Sequence, residues 1–191
     1  MRCLLCQSFS FSFICTKCRK RFLAPVKIKR QLNDALTVYS FYRYKDIEML
    51  LKTKHKYIGH TVYNILAKES MAKFKKEYPF SEYVDIVPID DVASSGYAHT
   101  AILAKALRTK YLKPYYGSMR AANRVTYSAK SLAFREANPR GFTYLKKRHE
   151  YAILVDDIVT TGTTLKEAQK VLDEAGVKTL FALTLANASD L

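Results

Sequence analysis

The sequence has no cysteine after residue 18: all four cysteines lie in the first 18 residues, and the rest of the 191-residue chain has none. A secreted domain stabilised by disulfides would carry cysteines throughout its core, so this class is not expected. The chain also lacks any apolar run of about 20 residues, the length of a transmembrane helix. The opening MRCLLCQSFSFSFIC does not fit a signal peptide, because serines interrupt the apolar part and the positive cluster follows it. These absences predict a cytoplasmic protein.

Acidic residues are scarce as well, with 17 Asp and Glu against 32 Lys and Arg and a net charge of +15. Such a surface attracts polyanions, which include nucleic acid, anionic membrane and phosphorylated ligands. The charge therefore favours nucleic-acid binding, and it would also support peripheral contact with the inner face of the cytoplasmic membrane. The alternative is a generally basic, lysine-rich proteome, in which the charge serves no particular ligand.

The length and the 49% hydrophobic content fit one ordinary domain plus a small appendage. Residues 1–25 form a predicted cysteine module, and residues 30–191 form the main domain. Apolar strands alternate with amphipathic helices in the main domain, which predicts an α/β fold with a parallel sheet covered on both faces. Residues 112–148 are polar and weakly periodic, which fits a loop-rich hood. The predicted strands are 36–44, 83–89, 151–155 and 180–185, and the predicted helices are 45–54, 63–76, 97–111 and 163–174.

Two adjacent acids and a threonine-rich turn follow the apolar stretch 152–155, where a parallel sheet binds ligands at its carboxyl edge. A helix N-terminus after the turn offers free N–H groups and a positive dipole end to a phosphate, and a glycine there lets the backbone approach it. The two carboxylates can accept hydrogen bonds from ribose hydroxyls and help to place Mg²⁺. A plain strand–turn–helix with a threonine cap is the alternative, but it does not explain the paired acids. The segment predicts a site for phosphoribosyl diphosphate (PRPP), made by Asp156, Asp157, Thr160, Thr161, Gly162, Thr163 and Thr164.

The run VDDIVTTGTTL, residues 155–165, resembles the signature of type I phosphoribosyltransferases. The resemblance implies a doubly wound parallel sheet with a flexible hood. It also implies that Asp156 and Asp157 bind the ribose hydroxyls and that residues 160–164 hold the 5-phosphate. In active members, displacement passes through an oxocarbenium-like state, and diphosphate leaves together with Mg²⁺.

The four cysteines form two CxxC pairs, with the spacing Cys3-x2-Cys6-x8-Cys15-x2-Cys18. Four thiolates can complete a tetrahedral Zn²⁺ site with no open position, so a structural zinc is expected. Zinc would also supply the folding free energy that a 25-residue module lacks. Two disulfides or an iron–sulfur cluster are the alternatives. The loop between the pairs carries three alternating phenylalanines, for which packing on the core is favoured over stacking on nucleic-acid bases: Phe9, Phe11 and Phe13.

A Cys₄ module followed by a type I phosphoribosyltransferase-like domain resembles the competence-protein ComF family over nearly the whole chain. Four segments carry the resemblance: the helix at 44–54 (YKDIEMLLKTK), Val87-Pro88, the LAKAL helix at 103–107, and Arg135-x-x-Asn138 followed by Phe142. It implies a role in natural transformation, in which the protein binds incoming single-stranded DNA in the cytoplasm. Other competence proteins at the inner membrane are the implied protein partners.

The sequence departs from that family at residues 95–99, which are Ser-Gly-Tyr-Ala-His where the family usually carries Arg-Gly-Phe-Asn-Gln. The loss bears on turnover more than on ribose-phosphate binding. The alternative function is an active phosphoribosyltransferase that uses PRPP and Mg²⁺ with an unknown base or amine. Further candidates for binding phosphate or diphosphate are Lys54, Ser94, Ser95 and Gly96. Their ordinary alternatives are a solvated lysine at 54 and a helix N-cap at Ser95.

Overall fold

A computed structural model describes residues 1–89, 96–123 and 140–189. None of the helices in these ranges is long and apolar enough to cross a membrane. The strands are β1 (Ile28–Asn33), β2 (Leu36–Arg43), β3 (Val84–Pro88), β4 (Leu112–Pro114), β5 (Met119–Ala121), β6 (Phe142–Tyr144), β7 (Tyr151–Val159) and β8 (Lys178–Asn187). The helices are α1 (Thr16–Phe22), α2 (Tyr44–Leu51), α3 (Gly59–Glu69), α4 (Met71–Glu77), α5 (His99–Leu107) and α6 (Thr163–Glu174), with a 3₁₀ turn at Lys52–His55.

Six of the strands form one sheet in the order β1-β2-β8-β7-β3-β4. Only β1 is antiparallel to its neighbour, and the other four pairings are parallel. From β3 the chain moves outward to β4, and from β7 it moves the opposite way to β8. The topological switch point therefore lies between β3 and β7, where α/β sheets bind ligands at the carboxyl ends of their strands.

Two clusters of buried apolar side chains cover the two faces of this sheet. The first includes Ile153 and Val155 of β7 together with residues of α2, α3, α4 and α5. The second includes Ala152 and Leu154 of β7, with α6 and the β5–β6 ribbon. Successive side chains of a strand point to opposite faces, which explains why neighbours in β7 belong to different clusters. The expected doubly wound α/β fold is confirmed.

Several element boundaries differ from the sequence-based prediction. The strand expected at 151–155 continues to Val159, because β8 pairs with it as far as Asn187. The helix expected at 63–76 is two helices that break at Ser70, where the buried hydroxyl donates to the carbonyl of Leu66. The helix expected at 97–111 ends at Leu107, and the segment expected to be a hood contributes β4, β5 and β6.

The cysteine module packs directly on the main domain. Ile14 and Leu23 are buried in the same cluster as Phe41 and Tyr42 of β2. The Tyr42 hydroxyl donates to the carbonyl of Leu23 at 3.1 Å, and the backbone N–H of Val26 donates to the carbonyl of Phe41 at 2.8 Å. The division at residues 25–30 stays a prediction, but the two parts share one core.

Candidate functional site

The threonine-rich segment forms the turn between β7 and α6. Gly162 is the N-cap with φ +81°, and the helix begins at Thr163. The hydroxyls of Thr161 and Thr163 lie 2.9 Å apart. Asp156 and residues 158–165 line one depression at this point. The structure thus brings five predicted phosphate-binding residues (160–164, hereafter the phosphate loop) and one predicted acid into one concave site at a helix N-terminus.

Strand β1, which the sequence-based prediction missed, supports the phosphate loop from below. The Arg30 guanidinium donates to the carbonyl of Thr160. A Cβ added at Gly162 would lie 2.7 Å from Cδ2 of Leu32, at a backbone angle that side chains rarely adopt. Glycine is therefore required both by the left-handed conformation and by the close approach of β1. The residues of β1, IKRQLN, are apolar only at Ile28 and Leu32, so no alternating pattern marked this strand in the sequence.

The two acids point to opposite faces of β7. Asp156 lines the depression beside the phosphate loop. Asp157 is only 6% exposed, and its Oδ2 lies 3.1 Å from Nζ of Lys54 and 3.2 Å from the hydroxyl oxygen of Tyr63. Nε2 of His99 is 3.5 Å from the same oxygen. The interpretation in which both acids bind ribose stays a prediction, and the arrangement favours Asp156 for that role.

The opposite surroundings separate the pKa values of the two carboxyls. Burial raises the pKa of Asp156 well above its ordinary value, and the charge of Asp157 adds to this effect. Burial also acts to raise the pKa of Asp157, but the charges of His99 and Lys54 outweigh it and hold that pKa below its ordinary value. Burial lowers the pKa of Lys54, but Asp157 more than compensates and the net shift is upward. Asp157 and Lys54 therefore form a charged pair, whereas Asp156 favours a proton or a cation.

Lys54 is the one predicted diphosphate candidate whose side chain contacts an acid of the site, within the described residues. Its backbone carbonyl accepts a hydrogen bond of 2.6 Å from the hydroxyl of Tyr97. Gly59 allows this contact, since a Cβ there would collide with the Tyr97 hydroxyl and the carbonyl of Thr53. Gly96 precedes Tyr97 with φ +83°. Ser94 and Ser95 lie outside the described residues, as do Arg135 and Asn138.

Three functional candidates were missed by sequence reasoning. Tyr63 and His99 contact Asp157 from α3 and α5. Arg140 lies close enough for its charge to lower the pKa of Asp156, and its backbone N–H donates to Glu167 of α6 at 3.1 Å. No local motif marks these residues, because each lies far from the acids in sequence.

The four cysteines converge as their spacing predicts. All four Sγ atoms lie within 4.8 Å of one another, and those of Cys6 and Cys15 are 3.8 Å apart. Sulfurs at about 2.3 Å from a tetrahedral Zn²⁺ are roughly 3.8 Å apart, so the cluster fits zinc. The Cys6–Cys15 separation is well beyond a disulfide bond of about 2.05 Å.

The thiol pKa values also suit a cation. Burial acts to raise the pKa of Cys3, but backbone hydrogen bonds outweigh it and lower that pKa to about 6. Burial and the neighbouring thiols raise the pKa of Cys18 to about 12. Without a metal, Cys3 therefore favours the thiolate and Cys18 favours the thiol. A bound metal ion would favour the thiolate form of all four cysteines.

The expectation that the module's phenylalanines pack on the core is wrong for two of the three. Phe9 is 76% exposed and Phe11 is 94% exposed, and their rings form an edge-to-face pair with centroids 5.7 Å apart. Phe9 forms an isolated antiparallel bridge with Arg2. The buried position in this loop is taken by Ile14 instead, so the first two phenylalanines project from the module surface.

Comparison with known proteins supports the phosphoribosyltransferase character of the chain. Residues 22–188 match the family described as PRTase-CE. A search of the curated proteins finds no match. An adenine phosphoribosyltransferase structure is 17% identical, with 89% of this chain and 90% of that chain covered and a TM-score of 0.42.

Two further structures are similar at the same level. Adenine phosphoribosyltransferase from Leishmania donovani is 12% identical, with 84% of this chain and 75% of that chain covered and a TM-score of 0.46. Hypoxanthine phosphoribosyltransferase from Staphylococcus aureus is 20% identical, with 65% and 62% covered and a TM-score of 0.40. The chain therefore spans less than two thirds of the length of the Staphylococcus protein.

Replacing Gly162 by alanine tests the support that β1 gives to the phosphate loop. The left-handed backbone costs an alanine roughly 1–2 kcal/mol, and the overlap with Leu32 costs roughly 1–3 kcal/mol more. The control is Gly117→Ala, which has the same kind of backbone strain (φ +62°) but whose added Cβ would have no other atom within 4 Å. We expect Gly162→Ala to lower the free energy of unfolding in denaturant by more than the control does. Adding Leu32→Ala to Gly162→Ala should remove the overlap and recover part of that extra loss. Equal losses in the two alanine variants would contradict this account.

Removing one thiolate tests the metal centre. We expect one zinc per chain by elemental analysis in the wild type and none in Cys6→Ser, with a lower melting temperature because Ile14 and Leu23 share the main core. Thr16→Ala, an exposed change in the same module, should keep the metal. Visible absorption from iron, or full zinc content in Cys6→Ser, would overturn the assignment.

Proposed function

The chain belongs to the PRTase-CE family, in which PRTase denotes phosphoribosyltransferase, and from this premise we propose that it binds PRPP at the depression between β7 and α6. One observation carries the proposal. Asp156 and the five residues of the phosphate loop line a single concave site at the start of a helix. The site lies at the carboxyl end of β7, beside the switch point of the sheet.

Each part of the ligand has a matching group in this site. The 5-phosphate fits the phosphate loop, where N–H groups at the start of α6 and the hydroxyls of Thr161 and Thr163 are donors. The Asp156 carboxylate is the acceptor for a ribose hydroxyl. Mg²⁺, which prefers oxygen ligands, would offset the charge of the diphosphate and favour ionised Asp156.

Calorimetric titration with PRPP and Mg²⁺ tests this proposal. Asp156→Asn should weaken PRPP binding by about ten-fold or more, since the ribose hydroxyl and Mg²⁺ lose a charged acceptor. The matched control is Asp173→Asn, an exposed acid near the other end of α6, which should bind like the wild type. Unchanged affinity in Asp156→Asn, or no binding by the wild type, would contradict the proposal.

The same protein preparation decides between binding and turnover. The residues at 95–99 lack the Arg, Asn and Gln that the ComF family usually carries there, which favours binding without efficient turnover. Diphosphate release measured with a panel of bases and amines distinguishes the two. Release with any acceptor, abolished by Asp156→Asn, would establish an active phosphoribosyltransferase.

We also propose a second function, in which the protein binds incoming single-stranded DNA in the cytoplasm during natural transformation. The resemblance to the ComF family motivates it, and so does the surface of the cysteine module. Residues 1–25 carry five Lys and Arg and no Asp or Glu. Exposed Phe9 and Phe11 lie within this basic segment. Competence proteins at the inner membrane are the proposed protein partners.

The chemistry of this surface fits a single strand better than a duplex. A base–aromatic stack contributes about 1–3 kcal/mol and needs an unpaired base. Basic side chains of the same module would neutralise phosphates, including those of Lys17, Lys20 and Arg21, which are exposed on α1. A bound Zn²⁺ with four thiolates would carry a net charge of −2, and the five basic residues of the module would still leave it positive.

Fluorescence anisotropy with a labelled oligonucleotide tests this surface. Phe9→Ala/Phe11→Ala should weaken single-stranded DNA binding by about ten-fold or more without changing the slope of log K against log salt, because stacking does not depend on phosphate neutralisation. Lys17→Gln/Lys20→Gln should instead reduce that slope. The control is Met49→Ala, which removes a hydrophobic side chain that is 56% exposed on α2.

Three results, two from binding and one from a deletion strain, would each contradict the second function. The first two are unchanged DNA affinity in the phenylalanine variant and no binding by the wild type at low salt. The third is a deletion strain that transforms at the wild-type frequency.

A further inference from the structure

The Asp157 carboxylate contacts three polar groups on one face of the sheet. Its Oδ2 contacts Lys54 at 3.1 Å, Tyr63 at 3.2 Å and His99 at 3.5 Å. The side chain is nearly buried, and a ribose hydroxyl that bonded Oδ2 would have to displace one of these groups. The carboxylate is therefore engaged by the protein itself.

Lys54 and the phosphate loop approach the end of β7 from opposite faces. The turn with Lys54 follows α2, whose Leu50 and Leu51 belong to the first buried cluster. The phosphate loop precedes Leu165, which belongs to the second. The Lys54 side chain is 29% exposed, so part of it is accessible to solvent at this edge. A ligand that crosses this edge of the sheet would meet a phosphate site on one face and a cation on the other.

PRPP has an anionic group at each end of its ribose, the 5-phosphate and the diphosphate on C1. We propose that Asp157 is a positioning residue that holds Lys54 at the edge of the site while no ligand is bound. When PRPP binds, the Lys54 ammonium group leaves Asp157 and forms an ion pair with the diphosphate. This inference rests on the proposed binding of PRPP. It gives the two acids different roles: Asp156 binds the ligand, and Asp157 binds the lysine.

The exchange leaves no buried charge without a partner. When Lys54 moves, Asp157 keeps its contacts with Tyr63 and His99. This matters because an uncompensated buried carboxylate is strongly destabilising. The Tyr97 hydroxyl holds the backbone carbonyl of Lys54, so only the flexible stem of the lysine has to move.

Two ligands that differ only in the diphosphate distinguish these roles. We measure the dissociation constants of ribose 5-phosphate and of PRPP, both with Mg²⁺, for the wild type, Lys54→Met and Asp157→Asn. Lys54→Met should weaken PRPP by about ten-fold and leave ribose 5-phosphate within about two-fold. Asp157→Asn should raise the preference for PRPP over ribose 5-phosphate by several-fold, because it frees Lys54 from its competitor. Equal weakening of both ligands in Asp157→Asn would show that Asp157 binds ribose directly and overturn the inference.

A double-mutant cycle supplies a readout that a purely structural role would not change. Melting temperatures and denaturant unfolding of Lys54→Met, Asp157→Asn and the double variant give the coupling between the two residues. The coupling should be present without ligand, persist with ribose 5-phosphate and fall with saturating PRPP. Coupling that is absent without ligand, or that stays constant with PRPP, would overturn the inference. A wild type that binds neither sugar phosphate would instead refute the proposed function, while the ligand-free cycle would still report whether the pair exists.

Discussion

The site depends on the continued pairing of β7 with β8 beyond the apolar core. Asp156 pairs with Thr184, and Val159 pairs with Asn187, so both acids lie inside a hydrogen-bonded strand. A paired strand directs successive side chains to opposite faces. One acid therefore lies beside the phosphate loop, and the other lies among Lys54, Tyr63 and His99 on the opposite face. The difference between their pKa values follows from this pleat.

The phosphate loop and the helix that follows it are each held by a part of the chain that is distant in sequence. Strand β1 reaches it through Arg30 and Leu32. On the other side, the Glu167 carboxylate of α6 accepts hydrogen bonds from the backbone N–H groups of Arg140 and Gly141. The helix that begins at the phosphate loop thus also anchors the segment that leads into β6. A phosphate bound at the start of α6 would be enclosed by elements that are already fixed.

The cysteine module contributes to the same core as the main domain, although its chemistry is separate. Ile14 and Leu23 pack with residues of β2, so a metal bound by the four cysteines would also stabilise the sheet. The short loop between the CxxC pairs cannot bury all of its apolar side chains. Phe9 and Phe11 stay outside, in a segment without acidic residues. Local packing limits thus generate the exposed aromatic pair on which the proposed DNA contact depends.

The sequence alone determined the features that rest on short-range physics. The alternation of apolar strands and amphipathic helices established the α/β class, and the CxxC spacing established the cysteine cluster. The phosphate loop was predicted from its residues because a strand, a glycine turn and a helix N-terminus are consecutive in the chain. The tertiary structure alone decided which groups surround the acids. Lys54, Tyr63 and His99 come from three other segments, and only the strand order and the pleat of β7 bring them to Asp157. It also decided that β1 supports Gly162, since an edge strand finds its partner through the sheet and not through its own pattern.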